Sequence, residues 1–200
     1  QNSINALAMG TENRVAMLFP KVFWDKEAHF LRPMKGRYTF SNNHALGISN
    51  ILCAWIRPDA VDDLEAMTPE EAMADVEKVL LQMYPKTYVA PSAYKVTYWQ
   101  SDPYSRGAYT YVPVGASKSD YDRLAMPISG DNKQDESDAT SLRGMALRPQ
   151  TRLFFAGEGT IKSDAYTVHG AYMSGRREAN RIGKWWTEHH DAVRANIQEP

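Results

Sequence analysis

The chain holds one cysteine in 200 residues, Cys53, so no disulfide can form within it. Cys53 sits in the apolar run 51–56, where a cysteine usually serves as a small buried hydrophobe, and a reducing interior, nuclear or cytoplasmic, is the expected setting. No apolar run approaches the roughly 18 residues that a membrane span needs, and the opening QNSINALAMG lacks a charged-then-apolar export signal. Neither sign of charge dominates, with 23 Lys and Arg against 24 Asp and Glu. That balance gives no electrostatic footprint for nucleic acid or for an anionic membrane. There is no internal repeat and no heptad pattern. Also missing is any GxGxxG, the strand-to-helix turn that cradles a dinucleotide pyrophosphate. The lack of an initiating methionine suits an excised fragment or a processed chain. What remains is a composition that is 43% hydrophobic, enough for a sizeable core.

Residues 15–19, 37–40 and 51–56 read as strands. Thr68-Pro69-Glu70-Glu71 is a strong helix start, with a capping threonine, proline at the first helical position and glutamate at the third. Ala72, Val76, Val79, Leu80 and Met83 mark one apolar face of that helix, and Pro85 ends it. Around Val96 and Tyr98 a further strand is expected, then a turn at Asp102-Pro103 and a pivot at Gly107 into Tyr109, Tyr111 and Val112. The stretch 128–148 is polar and reads as a surface loop.

The segment 152–182, RLFFAGEGTIKSDAYTVHGAYMSGRREANRI, carries the most information. Leu153, Phe154, Phe155 and Ala156 suit a strand buried on both faces, ended by Gly157, where backbone can approach a ligand closely. Thr167 precedes a helix in which Val168, Ala171, Gly175, Ala179, Ile182 and Trp186 recur at three- and four-residue steps, a small face suited to tight packing. A glycine turn beside a helix N-terminus gathers free N–H groups and a positive dipole end, a place for anionic or electron-rich atoms. Taken singly, Gly-Glu-Gly is also an ordinary turn, Thr167 a plain cap and His169 a satisfied first-turn histidine.

The combination of FFAGE, a spacer of about ten residues and TVHGAYMSGRREA resembles the closing FAD-binding segment of flavin-dependent amine oxidases. The block 94–116, AYKVTYWQSDPYSRGAYTYVPVGA, resembles the aromatic substrate segment of the same family, in its lysine-specific histone demethylase and polyamine oxidase branch. The resemblance implies FAD as cofactor. It places Gly157, Glu158, Thr167, Val168 and His169 at the cofactor, with the flavin N1–C2=O edge at the helix start and Glu158 accepting from a cofactor hydroxyl. Trp99 would pack against the flavin, and Tyr104 matches a position that is usually aromatic. Tyr109 and Thr167 would flank the substrate amine, where aromatic faces attract an alkylammonium and exclude water. Without the resemblance, these aromatics read as a β-rich core.

A third match, GTENRVAMLFPKVFWD at residues 10–25, resembles the strand that bears the family's flavin-facing lysine. Here Arg14 occupies the lysine's place, where it could hold a water near N5 but not shuttle a proton near neutral pH. The plainer reading of Arg14 is an exposed residue at the strand start, beside Glu12. The family's proline and small residue before Thr-Val-His-Gly are replaced by Ala165 and Tyr166, which would intrude on the cage or point to solvent.

The expected fold is α+β. A mixed substrate-binding sheet with helices would occupy 1–118, and 119–200 would supply the C-terminal strand and helix of a Rossmann-like FAD-binding domain. The implied reaction oxidises a C–N bond of an amine, methyl-lysine or polyamine in type, to an imine, with oxygen as electron acceptor. The amine and the missing N-terminal half of the enzyme are the expected partners, with no direct signal for nucleic acid and no membrane partner, and the exposed sheet edge of the chain alone predicts oligomerisation or rearrangement. Two rivals are a non-redox aromatic-cage module and an inactive fragment.

Overall fold

The computed structural model describes residues 2–129 and 151–197, with side chains described as far as residue 190. The chain divides into two compact units, Gly10–Ala108 and a second made of Gln1–Met9 with Tyr109–Pro200. It is mixed in α and β content, and the expected division at residue 118 concerns the domains of a larger protein.

The unit Gly10–Ala108 is a five-stranded antiparallel sheet backed by helix. Its strands are β2 (Arg14–Leu18), β3 (Phe30–Leu31), β4 (Tyr38–Asn42), β5 (Ile51–Ile56) and β6 (Ala93–Val96), in the spatial order β3-β4-β5-β2-β6. Pairing of Val15 with Ala54 and of Phe40 with Ala54 places every second residue on one face. Val15, Met17, Tyr38, Phe40, Leu52, Ala54 and Ile56 point inward and are buried. A register slip of one residue would turn this set to solvent. Short helix α2 (Val61–Glu65) and the longer α3 (Pro69–Met83) cover the sheet, α3 contributing Ala72, Met73, Val76 and Leu80 to the same core. Each large side chain so buried contributes about 1.5–3 kcal/mol. The expected capping box is formed: Thr68 Oγ1 accepts from the Glu71 amide at 3.2 Å, and Glu71 Oε2 accepts from the Thr68 amide at 2.8 Å.

Cys53 departs from expectation. Alternation along β5 turns Leu52 and Ala54 inward, so Cys53 falls on the opposite face with Trp55 and is only half-buried. Burial still pushes its thiol upward, against the lowering influence of Arg14.

The second unit begins with α1 (Asn2–Ala6) and β1 (Ala8–Gly10), whose partner is β7 (Tyr109–Tyr111). The two aromatic strands of residues 94–116 thus belong to separate sheets, because β6 pairs with β2. Helix α4 (Ser119–Leu124) is pinned to α1 through Asp120, which accepts from the Ser3 hydroxyl at 3.0 Å.

Strand β8 (Ile128–Ser129) pairs antiparallel with β9 (Thr151–Leu153). The expected polar loop otherwise lies outside the described residues. The expected strand 153–156 starts and ends earlier, and in the chain by itself, where exposure is expected, Leu153, Phe155 and Ala156 are exposed and Phe154 half-buried. Its sole ladder among the described residues is the two-residue β8, which cannot enclose it.

Helix α5 (Val168–Ile197) forms where Thr167 predicts it, but presents the other side to its unit. Gly170, Ser174, Glu178 and Trp185 are buried, while Val168, Ala179, Ile182 and Trp186 of the small apolar face are exposed. The reason is polar. Ser174 Oγ accepts from the Gly157 amide at 2.8 Å, and Arg177 donates to the carbonyls of Phe155 (3.0 Å) and Thr160 (2.6 Å). The irregular backbone before the helix needs those partners.

Candidate functional site

The start of α5 is built by Thr167. Its hydroxyl donates to the Asp164 carbonyl at 2.6 Å and accepts from the Gly170 amide at 3.0 Å, while its carbonyl accepts from the Ala171 amide at 3.0 Å. Thr167 is therefore a true cap. The amides of Val168 and His169 carry no hydrogen bond among the described residues, and Val168 is 89% exposed. His169 Nε2 lies 3.2 Å from Asp164 Oδ1. Hydrogen bonds from Ser163 and from His169 hold the Asp164 carboxyl below the usual carboxylate range.

Gly157 has φ 136°, a region that only glycine adopts without strain. It aims Glu158 at two backbone segments. Glu158 Oε1 accepts from the Thr110 amide at 2.9 Å, and Oε2 accepts from the Thr110 hydroxyl at 2.7 Å and the Tyr166 amide at 2.8 Å. One carboxylate thus joins the strand of Tyr109 to the turn before Thr167. Tyr166, 64% exposed, stands at φ 57°, a costly conformation for a bulky residue, and the Glu158 bond helps to hold it there. Its ring points to solvent within this unit. A carboxylate has about four acceptor positions, so Glu158 keeps one beyond its three protein donors.

A cleft of about 1010 Å³ opens in the same unit, with residues 155–160 on one side and Ser3, Arg123 and Met126 among its other walls. Glu158, with its spare acceptor capacity, lines this cleft, whereas the two unengaged amides at the positive end of the 30-residue helix are not among its walls; each feature suits a cofactor rich in carbonyl oxygens and hydroxyls. The donor set fits FAD.

The unit Gly10–Ala108 carries Trp99, Tyr104 and Arg14. Trp99 is fixed at both backbone ends: its amide donates to Asn13 Oδ1 at 3.0 Å, and its carbonyl accepts from the Gly107 amide at 2.8 Å. Its side chain nonetheless stays 42% exposed. Tyr104 is 97% exposed. Tyr109, in the other unit, is partly exposed on β7. Arg14 begins β2, where Nε and Nη2 donate to Glu12 Oε1 at 2.8 and 2.5 Å, and its guanidinium lies 3.6 Å from the Trp55 ring centroid. The plainer pairing with Glu12 is thus present, with a cation–π stack that the strand pattern does not announce. Asn13, Glu65, Ser174 and Arg177 are the supporting residues that sequence reasoning missed; Asn13 and Glu65 are 52 residues apart, beyond any local pattern. Among the described residues, no group of three or more His, Cys, Asp or Glu side chains could hold a metal ion.

These features are a capped helix start and a glycine turn in one unit and an aromatic-bearing antiparallel sheet in the other. The sequence profile of the flavin containing amine oxidoreductases matches residues 1–183, and the chain belongs to that family. Membership implies FAD as the cofactor. The chain is 35% identical over 203 residues to a possible lysine-specific histone demethylase 1 of Drosophila melanogaster, covering 98% of this chain and 22% of that protein. It is 34% identical to lysine-specific histone demethylase 1 homolog 2 of Arabidopsis thaliana, covering 100% of this chain and 25% of that one. It is 28% identical to peroxisomal N(1)-acetyl-spermine/spermidine oxidase of Bos taurus, covering 92% and 37%. The chain therefore resembles the demethylase and polyamine oxidase branch and spans about a quarter of the length of the demethylase relatives. Among solved structures, cyclohexylamine oxidase from Brevibacterium oxydans IH-35A shares the fold, with TM-score 0.63, 17% identity, and coverage of 90% of this chain and 36% of that one.

Proposed function

We propose that this chain is the C-terminal part of an FAD-dependent amine oxidase acting on a methyl-lysine or polyamine type of amine. The carrying observation is the glycine turn and capped helix start, joined through Glu158 to the strand of Tyr109. When bound, FAD supplies the two-electron acceptor for the C–N bond, and oxygen is the proposed final acceptor. Tyr109 and Thr167 flank the amine, and the aromatic face attracts the cation and excludes water. Trp99 packs the flavin. Glu158, Gly157, the Val168 amide and His169 hold the cofactor, with Tyr104 at its edge and Arg14 keeping a water near its reactive atom. The amine loses a hydride equivalent from the carbon beside nitrogen, and the resulting imine is hydrolysed by water.

Residues 1–118 are proposed as substrate-domain sequence and 119–200 as the closing part of a Rossmann-like domain, with an upstream half supplying the pyrophosphate turn. The names of the relatives favour a nucleus over the cytoplasm.

A second reading, a non-redox cage for alkylated cations, is favoured by one observation. Arg14 is engaged by Glu12 and Trp55, where the family places a lysine. The visible spectrum of the purified chain, with FAD and with or without the upstream half, separates the readings. Flavin bands that survive desalting only with the upstream half support the split site; none in either case, with retained binding of a methylated amine, supports the cage alone. Tyr109→Ala in the assembled enzyme should lower amine turnover and spare FAD binding, and unchanged kinetics would remove Tyr109 from the cage.

A further inference from the structure

Asn13 is fully buried, at 0% exposure, and lies immediately before β2, which Arg14 begins. A buried primary amide is costly unless its donors and acceptors are engaged. Asn13 Nδ2 donates to Glu65 Oε1 at 2.6 Å, and its Oδ1 accepts from the Thr97 hydroxyl and the Trp99 amide, both at 3.0 Å. The same Thr97 hydroxyl accepts from the Arg14 amide at 2.8 Å. Glu65 continues the series: Oε1 accepts from the Gln100 amide at 3.1 Å, and Oε2 accepts from the Ser101 amide at 3.3 Å and its hydroxyl at 2.7 Å. Three consecutive amides, 99 to 101, thus donate to one Asn–Glu pair.

This pair takes over where the ladder stops, since β6 pairs with β2 only as far as Val96 opposite Val15. Burial alone would raise the Glu65 carboxyl, but hydrogen bonds from Ser101, Asn13 and the amides of Gln100 and Ser101 outweigh it and hold the group below the usual range. Glu65 is therefore ionised at neutral pH, and its bonds are of the stronger, charge-assisted kind.

We infer that Asn13 and Glu65 are positioning residues that hold the Trp99 backbone and the start of the Arg14 strand in one rigid set, and so fix how Trp99 packs the flavin. Neither touches cofactor or substrate, and the flavin part of the inference rests on the proposed role of Trp99.

The test uses Asn13→Asp, Glu65→Gln, the double variant N13D/E65Q, and Trp99→Leu. N13D sets two carboxylates at the distance of one hydrogen bond and should drive the turn off, whereas N13D/E65Q restores an amide facing a carboxylate with the roles exchanged. Amide hydrogen exchange at residues 99–101 is read in the chain itself, with the β2–β5 amides as reference. We expect N13D to speed exchange there by about tenfold or more, with the reference unchanged and with the loss at residues 99 and 101 partly recovered in the double variant, whose new amide nitrogen no longer accepts from Gln100. In the FAD-loaded enzyme, the flavin circular dichroism should change in N13D and return in N13D/E65Q.

Unchanged exchange at 99–101 overturns the inference, and so does equal acceleration at the reference amides, which would mark general loosening of the sheet. If W99L alters the flavin signal but N13D does not, the positioning role is refuted while the role of Trp99 stands. If W99L leaves the flavin signal untouched, the role of Trp99 itself has failed, and the flavin role of the pair falls with it.

Discussion

Replacing Gly170 with alanine sets two effects of opposite sign against each other. Glycine within a helix costs about 1 kcal/mol relative to alanine, so on propensity alone Gly170→Ala should stabilise. A Cβ at this position, however, would land on the carbonyl oxygen of Asp164, and would lie 2.9 Å from both the Asp164 carbonyl carbon and Thr167 Oγ1. Those atoms are the cap itself. Moving them endangers the hydrogen bonds from Thr167 Oγ1 to Asp164 O and from the Gly170 amide to Thr167 Oγ1, each with a net value of about 0.5–1.5 kcal/mol. Overpacking adds about 1–3 kcal/mol. The unfavourable side exceeds the propensity gain, and a net destabilisation of roughly 1–5 kcal/mol is expected for the helix start. Gly175 and Gly183 lie in the same helix, and a Cβ at either would meet nothing within 4 Å. Gly175→Ala and Gly183→Ala should therefore stabilise by about 0.5–1 kcal/mol. Native-state hydrogen exchange of the amides in the first turns of α5, in all three variants, decides the matter. If G170A behaves like G175A, the carbonyl of Asp164 can move freely and the cap geometry does not constrain Thr167.

Removing the capping threonine with Thr68→Ala should destabilise the unit Gly10–Ala108 by about 1 kcal/mol, read from its urea midpoint at unchanged slope. For Asp120, burial raises the carboxyl, but bonds from the Ser117 amide, Ser3 and Arg123 outweigh it, so the folded value lies below the ordinary one. Its stabilisation of the α1–α4 contact is then complete above the unfolded carboxylate value of about 3.9 and is lost as pH falls through the lower folded value. Exchange of the α1 amides against pH should show release only in acid; release in the histidine range would assign the contact to another group. Arg14→Lys should give up about 0.5–1 kcal/mol of stacking on Trp55, and in the assembled enzyme should speed peroxide formation if the family's lysine assists oxygen. An unchanged peroxide rate would remove position 14 from the oxidative half of the reaction.

Features governed by a few adjacent residues are legible in the sequence. The start of α3 follows from Thr68, Pro69 and Glu71, and the strands expected at 15–19, 37–40 and 51–56 and found at Arg14–Leu18, Tyr38–Asn42 and Ile51–Ile56 follow from short runs of strand-forming residues, because these patterns depend on neighbours in the chain. The family, too, is legible, since FFAGE and TVHGAYMSGRREA join distinct elements at a set spacing. Cys53 shows the limit. Its apolar neighbours suggest burial, but a strand buries alternate residues, and which alternate set faces the core depends on α3, which comes later in the chain. The Asn13–Glu65 pair is invisible for the same reason: neither residue type nor spacing signals a bond across 52 positions.

In helix α5 the difficulty is of another kind. Periodicity finds a small apolar face and expects it to pack tightly, without saying against which element. The segment it packs against, residues 154–167, is a run of turns rather than a regular strand or α-helix, and its carbonyls and amides find few partners within the run itself. Ser174 and Arg177 supply them, and Arg181 donates to the Ala125 carbonyl at 3.1 Å. An irregular turn cannot be satisfied by a ladder, so the helix packed against it has to supply polar partners. The polar face of α5 is buried because the glycine turn is irregular, and the apolar face is thereby left to surfaces other than that turn.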